Sequence, residues 1–328
     1  MKGKIVMKRQ VILQDHNLLT EISVAYYQED MTQEEIAHKY GISRIKVGRL
    51  LKKAREEGIV DISVRYHPIF SSGLEQELIN AFGIQRALIA VDDKDETEQR
   101  RQVGALVASF LSTSLKSNQS VAVGYGANIS AIAAYTGNIA EKRCHFINSI
   151  GGVDLTDRTI NTDFIAQNLA TKFSATSETL YAPAYIERSE TKCLIEQNHM
   201  VKDVIAHAQK ADIAIVEIDN FDNHSQLVKA GLYSTKEVLD LQKEHGVICE
   251  LAGYGLINSQ GEVIESVVQD HTIGLSFDDL RKIPCVIGIA SENTKAMAIM
   301  AALKSGLIHI IATTAHNVNT ILTINKSK

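Results

Sequence analysis

The sequence predicts an α/β chain in two parts: a small N-terminal helix-turn-helix module, then a large domain of parallel strands alternating with helices. Three observations predict it. Met31 to Ala54 reads as two short capped helices around a glycine turn. From Leu74 onward, apolar runs of strand length alternate with helix-period segments. The charge is also uneven. Residues 1–66 hold twelve Lys or Arg against nine Asp or Glu, a net of +3, so the remainder carries −8 within the total of −5. A basic head on an acidic body can bind phosphates locally while the body stays off them.

The length of 328 residues fits two domains, one small and one large. No long uncharged apolar run is present to span a membrane, and the apolar stretch after MKGKIVMKRQ is too short for a signal peptide. A cytoplasmic address is therefore expected. Cys144, Cys193, Cys249 and Cys285 are widely spaced, without a CxxC pair. Free buried thiols are expected, with no metal and no cofactor.

Taken in order, Leu18, Leu19, Ile22, Ala25 and Tyr26 predict a first helix. Thr32 is an N-cap, and Glu35 completes a capping box. Ile36, Ala37 and Tyr40 give the second helix its apolar face, and Gly41 breaks it. Ser43 caps a third helix in which Val47, Leu50, Leu51 and Ala54 follow i, i+3, i+4, i+7 spacing. Ile45, Arg49 and Lys52 point away from that stripe, with Lys46 and Lys53 beside them. From Lys39 to Arg55 there are seven Lys or Arg and no Asp or Glu.

A buried stripe backed by an all-positive face is what a recognition helix needs in a DNA major groove. The alternative is a basic surface helix of an ordinary helical domain. The candidate DNA-contacting residues are Thr32, Gln33, Ser43, Arg44, Ile45, Lys46, Arg49 and Lys52. Ile45 either meets a thymine methyl or packs on the preceding helix. One small reading head seldom gives enough specificity, so a homo-dimer or homo-tetramer on repeated half-sites of double-stranded operator DNA is expected.

Gly58 stops the third helix, and Val60, Ile62, Val64 and Tyr66 alternate as a strand would. His67-Pro68 and Ser71-Ser72-Gly73 read as a hinge. The expected division is therefore a DNA-binding domain over 1–66, a hinge over 67–73 and an effector domain over 74–328. Predicted strands run from Ala87 to Val91, Val121 to Gly124, Phe146 to Ile150, Ile213 to Ile218, Val247 to Leu251, Val286 to Ala290 and Leu307 to Ile311. Strands apolar on both faces and separated by helices imply a mainly parallel sheet covered on both sides. Ligands of such sheets bind at the carboxyl ends of the strands.

Unusual residues fall at those ends. Gly124-Tyr125-Gly126-Ala127-Asn128 follows one strand, with a helix starting near Asn128. Glycines there let a backbone approach a ligand, and exposed amides suit an anion or hydroxyl oxygen. Ser149-Ile150-Gly151-Gly152 reads the same way, although any tight turn in such a sheet can need glycine. Ser291-Glu292-Asn293-Thr294-Lys295 opens a helix, and Lys295 one turn into it could act as a point charge on a phosphate or be a solvated surface lysine. Glu250 could accept hydrogen bonds from sugar hydroxyls, and if buried it must be paired or bound.

Together these residues resemble the SorC family of bacterial transcriptional regulators, from about Leu18 to Leu322. The matching pieces are Met31-Thr32-Gln33, Ser43-Arg44, Lys46-Val47, Arg49-Leu50-Leu51 and Gly58-Ile59. In the large domain they are Gly124-Tyr125-Gly126, Gly151-Gly152, Ala182-Pro183-Ala184, Gly261, Ile273-Gly274-Leu275, Lys295-Ala296, Ala301-Ala302-Leu303 and Gly306-Leu307-Ile308. The resemblance implies a Rossmann-like α/β/α effector domain similar to sugar-phosphate isomerases and deaminases, and a sugar, polyol or sugar-phosphate effector. It places Gly124, Tyr125, Gly126, Asn128, Gly151, Gly152, Glu250 and Lys295 around the pocket, with Lys295 on a phosphate. The resemblance implies a regulator and not an enzyme. An isomerase- or deaminase-like enzyme with a DNA-binding head, using Asp219, Glu250, His271 and Lys295, is the rival reading.

The chain departs from that family pattern. Glu217-Ile218-Asp219 stands where relatives carry Gly-Ile-Gly, Ser291 and Glu292 replace two glycines, and an Asp common after the last strand is replaced near Thr314. Added carboxylates beside an anion site repel a phosphate unless paired. A neutral polyol is then the alternative.

Overall fold

Local caps set the N-terminal part of a computed structural model that describes residues 17–60, 72–135, 139, 143–153 and 157–326. Residues 17–27 form helix α1. Helix α2 (Gln33–Tyr40) starts at a complete capping box between Thr32 and Glu35 and ends at Gly41, which is left-handed at φ 62°. Helix α3 (Arg44–Glu56) starts at Ser43, whose hydroxyl accepts from the Lys46 amide. Ile22, Ala25, Ile36, Val47 and Leu51 close one small core between the three helices. That is the predicted module, with the predicted stripe inside.

The chain divides into two compact units, Met1–Arg65 and Tyr66–Lys328. Of the strand expected from Val60 to Tyr66, all but Val60 lies outside the described residues, as do the hinge positions 67–71. Ser72 and Gly73 do not continue a linker. They open helix α4 (Ser72–Phe82), which Leu78 anchors in the core of the second unit.

Seven parallel strands form the main sheet of that unit, in the order β1-β10-β9-β5-β2-β3-β4. In chain order these are β1 (Arg86–Ala90), β2 (Ser120–Val123), β3 (His145–Asn148), β4 (Thr176–Glu178), β5 (Ile213–Asn220), β9 (Cys285–Ile289) and β10 (Ile310–Thr314). Alternate residues serve opposite faces. Leu88, Val121, Val123, Ile215 and Ile287 pack with α5 (Glu96–Ser114), α6 (Ala127–Ala133) and α7 (Thr162–Phe173). Ala87, Ala122, Ala214, Val216 and Val286 pack on the other face, with α9 (His199–Gln209), α14 (Ala296–Lys304) and α15 (Ala315–Lys326). Burial on both faces is why these strands read as continuous apolar runs.

One predicted strand is placed differently. Val247 to Leu251 is a strand, β6, but it pairs antiparallel with the far end of β5, Ile218 opposite Leu251 and Asp219 opposite Glu250. It continues into β7 (Gly255–Asn258) and β8 (Val263–Ile264) as a meander. Only three residues join β6 to β7, a connection that an antiparallel pair allows and a parallel pair does not. The short strands β4, β7 and β8 were not anticipated from the sequence; β4 is the polar edge Thr176-Ser177-Glu178. Of the four cysteines, Cys144 and Cys249 are buried and Cys285 is half-buried, but Cys193 is exposed, contrary to expectation. It sits in α8 (Ser189–Glu196), which has no buried residue. Among the described residues, no helix is long and apolar enough to cross a membrane.

Strand order reverses between β5 and β2. From β2, strands β3 and β4 add on one side and β5, β9 and β10 on the other, the last beside β1, which opens a crevice at the carboxyl ends of the two central strands.

Candidate functional site

On α3 the outward face is as the sequence predicts. Ser43, Arg44, Ile45, Lys46, Arg49 and Lys52 are exposed. Ile45 is 72% exposed, which removes the reading in which it packs on α2. Lys52 lies 3.6 Å from Glu56 and Lys53 3.5 Å from Glu57, acidic residues just past the basic run. Arg44, Lys46 and Arg49 make no ion pair among the described residues. Thr32 is exposed and holds the α2 cap, while half-buried Gln33 approaches α3 at Gly48.

In the large unit the crevice between β5 and β2 holds an array of carboxylates. Glu217 ends the part of β5 that pairs with β9 and is 8% exposed. Its oxygens accept from the Asn128 amide at 3.1 and 3.2 Å, the Ile129 amide at 3.2 Å and Asn128 Nδ2 at 2.8 Å. These are first-turn amides of α6, whose N-cap, Gly126, has no side chain to offer. Glu217 therefore caps α6 from the neighbouring strand, a favourable place for negative charge. Gly126, at φ 136°, is required there, since a Cβ would land on the Glu217 carboxylate. Burial, together with the Glu292 charge, pushes Glu217 up to about 8 against the hydrogen bonds from Asn128.

Two further carboxylates are paired with cations. Glu292 lies 2.9 Å from Arg100 of α5 and accepts from Asn128 Nδ2 at 3.1 Å. Although burial opposes it, these donors hold Glu292 below the usual carboxylate range. Asp219 forms a hydrogen-bonded ion pair with Lys295. Burial works against the ammonium, but Asp219 raises Lys295 overall. Lys295 is the N-cap of α14 and not a residue one turn inside it, because residues 291–294 form a separate turn.

Glu250 differs from the other three. It faces Asp219 across the β5–β6 ladder, an arrangement of like charges that is unfavourable by itself. It is 1% exposed, and neither oxygen makes a hydrogen bond among the described residues. Burial and Asp219 push it up to about 8, against the nearby Ser225 hydroxyl and Lys295. The Glu250 charge also reaches the buried hydroxyls of Tyr125 and Tyr185, which lie 2.7 Å apart. Tyr185 borders a cavity of about 300 Å³, lined also by Gly152, Val153, Pro183, Gln226 and Lys229.

The structure corrects the expected role of the glycine turns. The Gly124 amide donates to Ile215 at 3.1 Å and the Gly126 amide to Ile160 at 3.0 Å. Those of Gly151 and Gly152 go to Ile273 at 3.0 Å and Ala182 at 2.8 Å. The amides are used by the fold. Gly151 permits close approach of the Ala182-Pro183 backbone, where a Cβ would come within 2.5 Å of the Ala182 carbonyl oxygen. Asn128 and Glu217 share a hydrogen-bond network with Glu292 and Arg100, Asp219 and Lys295 form a separate pair, Tyr125 bonds Tyr185, and Glu250 makes no hydrogen bond among the described residues. His271 lies elsewhere, its Nδ1 2.6 Å from the Ile186 carbonyl. Arg100, Tyr185 and the Ser149–Tyr254 hydroxyl pair had no signal in the sequence. Glu217 did, as a departure, but its partner on α6 did not.

Comparison with known proteins gives these sites a context. The sugar-binding domain family model matches residues 66–323, and the sigma-70 region 4 model matches residues 21–57. A transcriptional regulator named LsrR from Enterobacter sp. (strain 638) is 26% identical over 318 residues, covering 95% of this chain and 94% of that protein. The crystal structure of the sugar-binding domain of a transcriptional repressor from Vibrio fischeri is 35% identical, covers 77% of this chain and 99% of its own, and superposes with a TM-score of 0.72. The full-length sorbitol operon regulator SorC from Klebsiella pneumoniae is 25% identical, covers 94% and 99%, and gives a TM-score of 0.77. With the family model spanning most of its length and a helix-turn-helix ahead of it, this chain belongs to the sugar-binding-domain family of SorC-type transcriptional regulators.

Proposed function

We propose that this chain is a sequence-specific transcriptional regulator of a carbohydrate operon, and that a sugar-like effector in the large unit changes its affinity for DNA. The exposed face of α3 carries this reading. Arg44, Lys46 and Arg49 leave a doubly capped helix-turn-helix with no acidic partner among the described residues, which suits a phosphate-lined groove. Ser43, Arg44, Ile45, Lys46 and Arg49 reach bases and phosphates, with Thr32 and Gln33 at the start of α2 facing the backbone. Lys52, engaged by Glu56, is the weakest of the candidates.

The effector occupies the crevice at the β5–β2 reversal and the cavity beside Tyr185. Asn128, Lys295, Glu250 and Tyr125 act there, and Gly152 borders the cavity. Gly124, Gly126 and Gly151 shape the walls without offering amides. A homo-dimer or homo-tetramer reads repeated half-sites. An acid/base role for Asp219, Glu250, Lys295 and His271 is disfavoured, because His271 lies outside the network and Asp219 is tied to Lys295.

The test is selection of a duplex from a random DNA library by the full chain, followed by fluorescence anisotropy on the selected site. Tight, salt-dependent binding to that site over scrambled DNA is expected. Equal affinity for both would end the reading.

A further inference from the structure

We infer that this pocket carries its own anions where a phosphate would be received, and that its effector is an unphosphorylated, hydroxyl-rich sugar or polyol. The inference rests on the regulator reading above and specifies the chemistry of its ligand.

A phosphate monoester needs several donors and positive charge that no other group has claimed. Three donor sets lie at the carboxyl ends of β2, β5 and β9, and each already holds a carboxylate of this chain. The Asn128 and Ile129 amides of α6 hold Glu217. Lys295 holds Asp219. Arg100 holds Glu292. The glycine amides of both turns are bonded within the fold. Asp219 and Glu292 each match one of the two cations, and Glu217 and Glu250 bring no positive charge, so a phosphate entering the crevice meets no unclaimed cation and no free donor cluster.

Arg100 Nε apart, what remains open has the opposite character. Both oxygens of Glu250, the Asn128 Oδ1, the Ser291 hydroxyl and both polar atoms of Asn148 have no hydrogen-bond partner among the described residues. All four residues are 1% exposed. Buried polar groups left this way cost free energy until something bonds them. The set is rich in acceptors, and its remaining groups can donate or accept. Neighbouring hydroxyls of a polyol match it: they exchange hydrogen bonds with the two open oxygens of the Glu250 carboxyl and accept from an amide. The Tyr125–Tyr185 hydroxyl pair, which the Glu250 charge reaches, borders through Tyr185 the cavity where such a ligand enters.

Isothermal titration with inorganic phosphate tests the exclusion directly. The unaltered chain is expected to take up none at ~10 mM. The variant Glu217→Gly/Asp219→Gly is expected to gain phosphate binding by at least ~10-fold, and adding Lys295→Ala to it should remove the gain. Asp219→Asn alone frees Lys295 without emptying the α6 cap, so it should gain less while remaining folded. Phosphate bound by the unaltered chain and lost on Lys295→Ala would overturn the inference, as would folded variants that gain nothing.

The second arm screens pentitols, hexitols, ketohexoses and their monophosphates for a change in affinity for the selected duplex. An unphosphorylated compound should be the active one. An active monophosphate, or a panel with no active member, contradicts the proposal. Failure of the regulator reading would show separately, as absence of specific DNA binding.

Discussion

Glu217 has two roles that pull in opposite directions. As a remote cap it satisfies two α6 amides, so Glu217→Ala should lower stability by about 1–2 kcal/mol, read from urea denaturation followed by circular dichroism. An unchanged midpoint would mean that water replaces it without loss. As a buried acid its folded pKa is raised to about 8, and that of Glu250 likewise. A raised carboxyl pKa means the folded state holds more protons than the unfolded state between the ordinary value near 4.5 and about 8. Stability from these two groups is therefore present at low pH and is lost as pH rises through about 8. Melting temperature should fall between pH 6 and pH 9, and Glu250→Gln should flatten that slope. A melting temperature that does not fall over this range would show that both groups stay ionised in the fold.

At the level of elements, α3 was the most legible part of the chain. Its cap, stripe and outward cations follow from spacing alone, because a helix on a small core leaves only one face to bury. If Arg49 reads a guanine, Arg49→Ala should cost ~1–3 kcal/mol at one base position and relax preference there. Uniform weakening across site variants, measured by anisotropy, would make it a phosphate contact. Ser43→Ala should remove about 1 kcal/mol from the start of α3 and weaken binding at all sites alike.

The parallel strands were legible for a similar reason, since burial on two faces erases alternation. The direction of β6 was not, because an apolar run carries no information about its partner's orientation. The site was half legible. Glu217, Asp219 and Glu292 could be marked as anomalous carboxylates, but which donor each one takes depends on the crossovers that set β5 beside β2 and β9. The glycines misled for the same reason. Gly126 and Gly151 make room for Glu217 and for Ala182-Pro183, contacts distant in sequence.

Across the whole molecule, a basic reading head is joined to an acidic ligand-binding body, and the account requires the second to govern the first. A coupling free energy of ~1–3 kcal/mol suffices, equivalent to about 5- to 150-fold in affinity. The coupling must be reciprocal, so DNA should alter ligand affinity by the same factor. The most direct measurement is the affinity of the full chain for its selected duplex, by fluorescence anisotropy, with and without the active sugar or polyol. The account predicts a shift of at least ~5-fold that Glu250→Gln abolishes while leaving ligand-free DNA binding intact. The same affinity with and without saturating ligand would contradict it.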